Sequence, residues 1–171
     1  MKPWIHGAYT ACLSEVHVKG NSNTRLVCKK FVDEWAPIHR GQVRLFGDAT
    51  GGARKSSALS GSDWDIVVRE LSKVPHWRII KMVPKANPAE RDRLNAVNTR
   101  LMTAQGRVRF MVDPVKCPFL CQDLESVPLK DDGSGDLDKS DGDLTHLSDG
   151  VGYKVWRVAP VKQGGFSVEV V

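Results

Sequence analysis

The chain has 171 residues, 41% of them hydrophobic, and a net charge of +5, which allows one well-buried core and leaves two full domains crowded. No apolar run reaches the roughly 18 to 20 residues that cross a bilayer, the start MKPWIHGAYT has no signal-peptide core, and 4 scattered cysteines do not make the framework of a secreted mini-protein. The expectation is a cytoplasmic globular protein whose positive balance suits a phosphate backbone, although Asp131 to Asp149 forms a local acidic segment.

Tyr9 to Val18 is apolar or β-compatible and stops at Gly20 and Asn21, which predicts a strand. The segment GNSNT offers helix caps, and Val27, Phe31 and Trp35 follow at four-residue spacing, so an amphipathic helix runs to just before Pro37. VRLF is a short strand with Asp48 at its tip. The order strand, helix, strand predicts a crossover unit. After the polar loop GGARKSSALSG, Ser62 and Asp65 form a capping box for a short helix through Ile66, Arg69 and Glu70. WRIIKMV reads as a strand. In NPAERDRLNAVNTRLMTAQG, Asn87 is placed as the cap, Pro88 in the first turn, and Leu94, Val97 and Leu101 on one face of a helix. RVRFMVDP alternates as a half-buried strand, and Cys117 to Leu124 reads as one or two helical turns. DDGSGDLDKSDGD is too polar and Gly-rich to be structured alone. A closing helix, THLSDGVGYKVWR, carries Asp149 in its first turns, and the residues past it form a tail.

Two familiar loops fail on spacing. A phosphate-binding Walker loop needs Gly directly before Lys, and here Arg54 precedes Lys55. An EF-hand beginning at Asp136 or Asp138 puts an aspartate where that loop needs glycine. Cys117 and Cys121, four residues apart on a helix, could supply half of a zinc site, but no second pair stands at a suitable spacing. Glu15 on the first strand could partner a core or surface cation, but a purely structural role is the favoured reading. Asp48 and Asp149 differ from these, because a strand tip and a downstream helix can converge at one end of a sheet, where α/β folds place ligands. Gly47, Ala49, Gly150 and Gly152 are small neighbours that would let a phosphate backbone approach.

The blocks GNSNTRLVCKKFVDEW, VRLFGDATGGARKSSALSGSDWD, NPAERDRLNAVNTRL, FMVDPVKCPFLCQDLESV and LDKSDGDLTHLSDGVGYKVWR, in that order, resemble the nuclease domain of the large terminase subunit of tailed bacteriophages. The resemblance covers most of residues 1–157 and leaves 158–171 as a tail. It implies a ribonuclease H-like α/β fold, with a mixed central sheet and flanking helices, that cuts concatemeric viral DNA during genome packaging. By the same resemblance, Asp48 and Asp149 are catalytic, metal-holding acids in a site for two Mg2+ or Mn2+ ions. One ion activates water and the other stabilises the leaving oxygen.

The resemblance also implies double-stranded DNA as partner, with Arg54, Lys55 and Lys139 as candidates for phosphate contacts that carry no sequence reading. A portal protein, a small terminase subunit or a chain bearing the ATPase domain are the implied protein partners. The family's first catalytic aspartate lies on an opening strand upstream of Tyr9, which would precede Met1. The expectation is therefore a partial nuclease domain, missing its first strand and impaired alone. The alternative is a catalytically silent fragment that binds DNA or a packaging partner. At Gly150 an alanine would be the better helix former.

Overall fold

A computed structural model describes residues 9–18, 23–52, 61–131, 133–134, 136–138, 140 and 144–161. Their apolar side chains gather around two centres. The first begins with α1, Thr24–Trp35, whose cap is Asn23: its side chain accepts from the Leu26 N–H at 2.9 Å. The helix ends where Pro37 could donate no backbone hydrogen bond. β2, Gly41–Leu45, and β3, Trp77–Lys81, pair in parallel with Val43 opposite Ile79. The helix α2, Asp63–Leu71, crosses between them and opens on the expected Ser62–Asp65 capping box. Cys28, Val43, Leu71, Val74 and Trp77 are buried where these four elements meet.

The second centre joins the two ends of the described chain. β1, Thr10–Cys12, pairs in parallel with β4, Phe110–Val112. Against them lie α3, Glu90–Leu101, α4, Pro118–Ser126, and α5, His146–Val158. Ala96, Val97, Phe110 and Val155 form its buried heart, with Cys12, Leu101, Val112 and Trp156 packed around them. Burying a side chain such as Phe110 or Val155 stabilises by about 1.5–3 kcal/mol, so the long-range pairing of β1 with β4 has an apolar reason.

The α/β class holds, with five helices and two small parallel sheets among the described residues. The arrangement of strands differs from expectation. In place of one central mixed sheet, the described strands form two separate parallel pairs, and the expected crossover from β1 through α1 to β2 is not a paired unit. The long strand expected at Tyr9 to Val18 shrinks to three residues because the chain beyond Cys12 is drawn to the start of α4. The Glu15 N–H donates to the Lys116 carbonyl at 3.3 Å, and the His17 ring lies 4.2 Å from that of Phe119. Among the described residues no helix is long and apolar enough to cross a membrane. Residues 162–171, most of the expected tail, lie outside those described.

Candidate functional site

Asp48 follows β2 by three residues and stands at the mouth of a single turn of 3-10 helix, Ala49–Gly52. Its Oδ1 accepts from the Thr50 N–H at 2.6 Å and from Asn87 Nδ2 at 2.7 Å, while Asn87 Oδ1 accepts from the Ala49 N–H at 2.8 Å. Asn87, expected to cap α3, is committed to this loop instead; the cap position is Ala89, without a side-chain bond. Partial burial works against the Asp48 charge. Hydrogen bonds from Asn87 and Thr50, together with the positive charge of Arg93, outweigh that burial and hold the carboxyl below its ordinary 3.8.

The glycines of VRLFGDATGG serve a different purpose from the one expected. Trp64, on α2, donates from Nε1 to the Asp48 carbonyl at 2.8 Å. A Cβ on Gly47 would lie 2.7 Å from its Cζ2, and one on Gly51 would lie 2.9 Å from its Nε1. The small residues make room for an indole laid across the loop. The ammonium of Lys81 stands 5.8 Å from the Trp64 ring centroid.

Asp149 reaches its place through two successive caps. Both oxygens of Glu15 accept backbone N–H groups at the start of α4, Oε1 from Phe119 at 2.9 Å and Oε2 from Leu120 at 2.8 Å. Glu15 is therefore a helix cap borrowed from the opening segment, the structural role favoured for it. On α4 in turn, Asp123 is buried and its Oδ2 accepts the Leu147 and Ser148 N–H groups at 3.0 and 3.1 Å. That bond supplies what Thr145 does not: Thr145 holds a left-handed backbone, φ 78°, and makes no side-chain cap. The first turn of α5, which carries Asp149, is thus tied through α4 to the segment that follows β1.

Arg93 is the ion-pair partner of Asp149, and its charge acts on Asp48 more weakly than the hydrogen bonds there do. It lies on the buried stripe of α3 with Ala96 and Val97 and is only 7% exposed. Its Nη1 donates to Asp149 Oδ1 at 2.6 Å, its Nη2 stands 4.0 Å from Glu90 Oε2, and its guanidinium lies 4.3 Å from the Tyr153 ring centroid. A Cβ on Gly152 would sit 3.4 Å from Arg93 Cβ. Asp149, Gly152 and Tyr153, spaced to share one face of α5, all meet this one side chain. The expected role of Gly152 in admitting DNA is replaced by contact with an arginine. Gly150 alone of the small neighbours near Asp149 faces open space.

The loop basic residues Arg54, Lys55 and Lys139 fall outside the described residues. Asp149 is ion-paired with Arg93, whereas Asp48 is held by Asn87 and Thr50; Arg93, Asn87 and Trp64 are the residues that the sequence did not single out. A groove of about 460 Å³ opens beside Asp149, with Leu94, Val97, Leu124 and Leu137 among its apolar lining.

The donor set does not fit the two-ion centre implied by the resemblance. Among the described residues no three His, Cys, Asp or Glu side chains are grouped to hold a metal, and Asp149 already takes a guanidinium. A divalent ion 4 Å from that guanidinium would meet a repulsion of about 8 kcal/mol at an effective dielectric of 20. Zinc fares no better: Cys117 is fully buried, its thiol faces the Cys12 carbonyl at 3.7 Å, and burial pushes it up to about 11. No protein-family model, curated protein or solved structure matches this chain.

Proposed function

We propose that this chain is a nuclease module of the terminase large-subunit type, with a ribonuclease H-like arrangement, that engages double-stranded DNA during genome packaging. The observation that supports this reading is the placement of Asp48 just past the end of β2 and of Asp149 in the first turn of α5, where Arg93 pairs with it. One acid follows β2 and the other rides on α5, 101 positions later in the chain. A strand tip and a closing helix that each carry a carboxylate are parts such a nuclease needs.

Cleavage by metal ions needs further carboxylate company. Two Mg2+ or Mn2+ ions require a ligand that bridges them, and that ligand has to come from another chain or from residues outside those described. The module alone therefore binds DNA and cuts it poorly or not at all. The protein partners that fit are those that would complete the site or deliver it to DNA: an ATPase-bearing chain, a portal protein or a small terminase subunit. The host cytoplasm is the corresponding compartment. A silent, DNA-binding module is the second reading, favoured by the engagement of Asp48 with Asn87 and of Asp149 with Arg93.

Plasmid DNA incubated with the purified protein and Mn2+ tests both readings. The expected result is a salt-sensitive complex without nicking above background. Robust Mn2+-dependent nicking that Asp48→Asn abolishes would establish an active enzyme and overturn the impaired reading. An absence of any DNA binding at low salt would overturn both.

A further inference from the structure

The acids beside α5 already hold a cation, and it belongs to the protein. Arg93 enters from α3 nine-tenths buried, with Nη1 2.6 Å from Asp149 Oδ1 and Nη2 4.0 Å from Glu90 Oε2. Its guanidinium lies over Tyr153, and its aliphatic stem runs past Gly152. Oxygen ligands hold Mg2+ or Ca2+ at about 2.0–2.6 Å, so Nη1 stands where an ion coordinated by Asp149 Oδ1 would stand. α5 contacts it on two sides, through the Tyr153 ring and through Gly152.

We propose that Arg93 is the resident counter-cation of this site, and that a divalent ion binds Asp149 only when the guanidinium is removed or displaced. The inference rests on reading Asp149 as a functional acid, and it concerns occupancy of the site independently of cleavage. It makes Arg93 a positioning residue that holds one acid in place and shuts out free metal ions. Completion of the site by a partner would have to move Arg93 as well as add a carboxylate.

The experiment is a titration of the full chain with Mn2+ alone, followed by paramagnetic broadening of backbone amide signals from residues 147–152. The wild-type signals are expected to stay sharp at about 1 mM Mn2+, and those of Arg93→Gln to broaden at a concentration at least about tenfold lower. Arg93→Lys, which keeps the charge, is expected to follow the wild type. Asp149→Asn added to Arg93→Gln is expected to remove the broadening. Equal broadening in wild type and Arg93→Gln, or none in a folded Arg93→Gln, would overturn the proposal. Should Arg93→Gln not fold, the wild type and Arg93→Lys decide: broadening around Asp149 below about 1 mM in either one overturns it, and sharp signals in both support it. Failure to bind DNA would strike the functional reading and leave this result untouched.

Discussion

Arg93 on α3 donates to Asp149 on α5 across 2.6 Å, with the arginine side chain 8% exposed and the carboxylate 29% exposed. The pair joins two helices of the second core and buries an arginine between them. Removing one member of a buried pair costs more than the pair contributes, because the other charge is left uncompensated. Arg93→Ala is expected to lower unfolding free energy by about 2–4 kcal/mol, through lost packing over Tyr153 as well as lost charge. Asp149→Asn, with its partly exposed position, is expected to cost about 1–2 kcal/mol. Urea unfolding monitored by circular dichroism separates the two; equal and negligible losses would show that the pair holds nothing together.

The Trp64 indole and the glycines around Asp48 are matched in size. Gly47→Ala places a methyl 2.7 Å from Trp64 Cζ2, and overpacking of this kind costs about 1–3 kcal/mol. The loss is expected to shrink in Gly47→Ala/Trp64→Leu, since the smaller side chain vacates the contested space. A double-mutant cycle read by chemical denaturation measures this coupling, and strict additivity would mean that the indole does not press on the loop.

Asp123 is buried and supplies the N-terminal cap of α5 in place of Thr145. Asp123→Ala is expected to destabilise by about 1–3 kcal/mol, the cost of leaving buried donors unmet at a helix start. Hydrogen exchange should quicken first at residues 147–150. An unaltered exchange pattern there would remove Asp123 from the chain of caps that fixes Asp149.

Gly150 is exposed on α5 and a Cβ there would meet nothing within 4 Å. Gly150→Ala is therefore expected to raise stability by about 1 kcal/mol, with a higher melting temperature. A melting temperature that falls would point to an obstacle that the geometry does not contain.

Much of the local structure was legible in the sequence. The Asn23 cap, the Ser62–Asp65 box, the strand before Asp48 and the helix carrying Asp149 all follow from side-chain chemistry within a few residues. The pairing of β1 with β4 was not legible, since the two lie 100 positions apart and periodicity says nothing about which strand a strand will meet. Asn87 shows the limit most clearly: an asparagine before Pro88 reads as a cap, and only the approach of the Asp48 loop makes it a bridge. Arg93 left one usable signal. It stands four residues before Val97 and three before Ala96, on the stripe that becomes buried, where an arginine requires a carboxylate partner. The sequence alone could not name Asp149 as that partner.

Titration of the Asp48 carboxyl tests most directly whether the charge of Arg93, paired with Asp149, also reaches Asp48. Asp48 ionises below its ordinary 3.8 in the folded chain, so its charge stabilises the fold above that ordinary value, and this contribution is lost as pH falls through the lower folded value. Carbon-detected NMR of Asp48 in the wild type, Asn87→Ala and Arg93→Gln would follow the group itself. The Asp48 midpoint is expected to rise in both variants, because each removes one of the groups that favour its charge. A midpoint that rises in Asn87→Ala and stays fixed in Arg93→Gln would contradict it, leaving Asp48 and Asp149 as two unconnected acids.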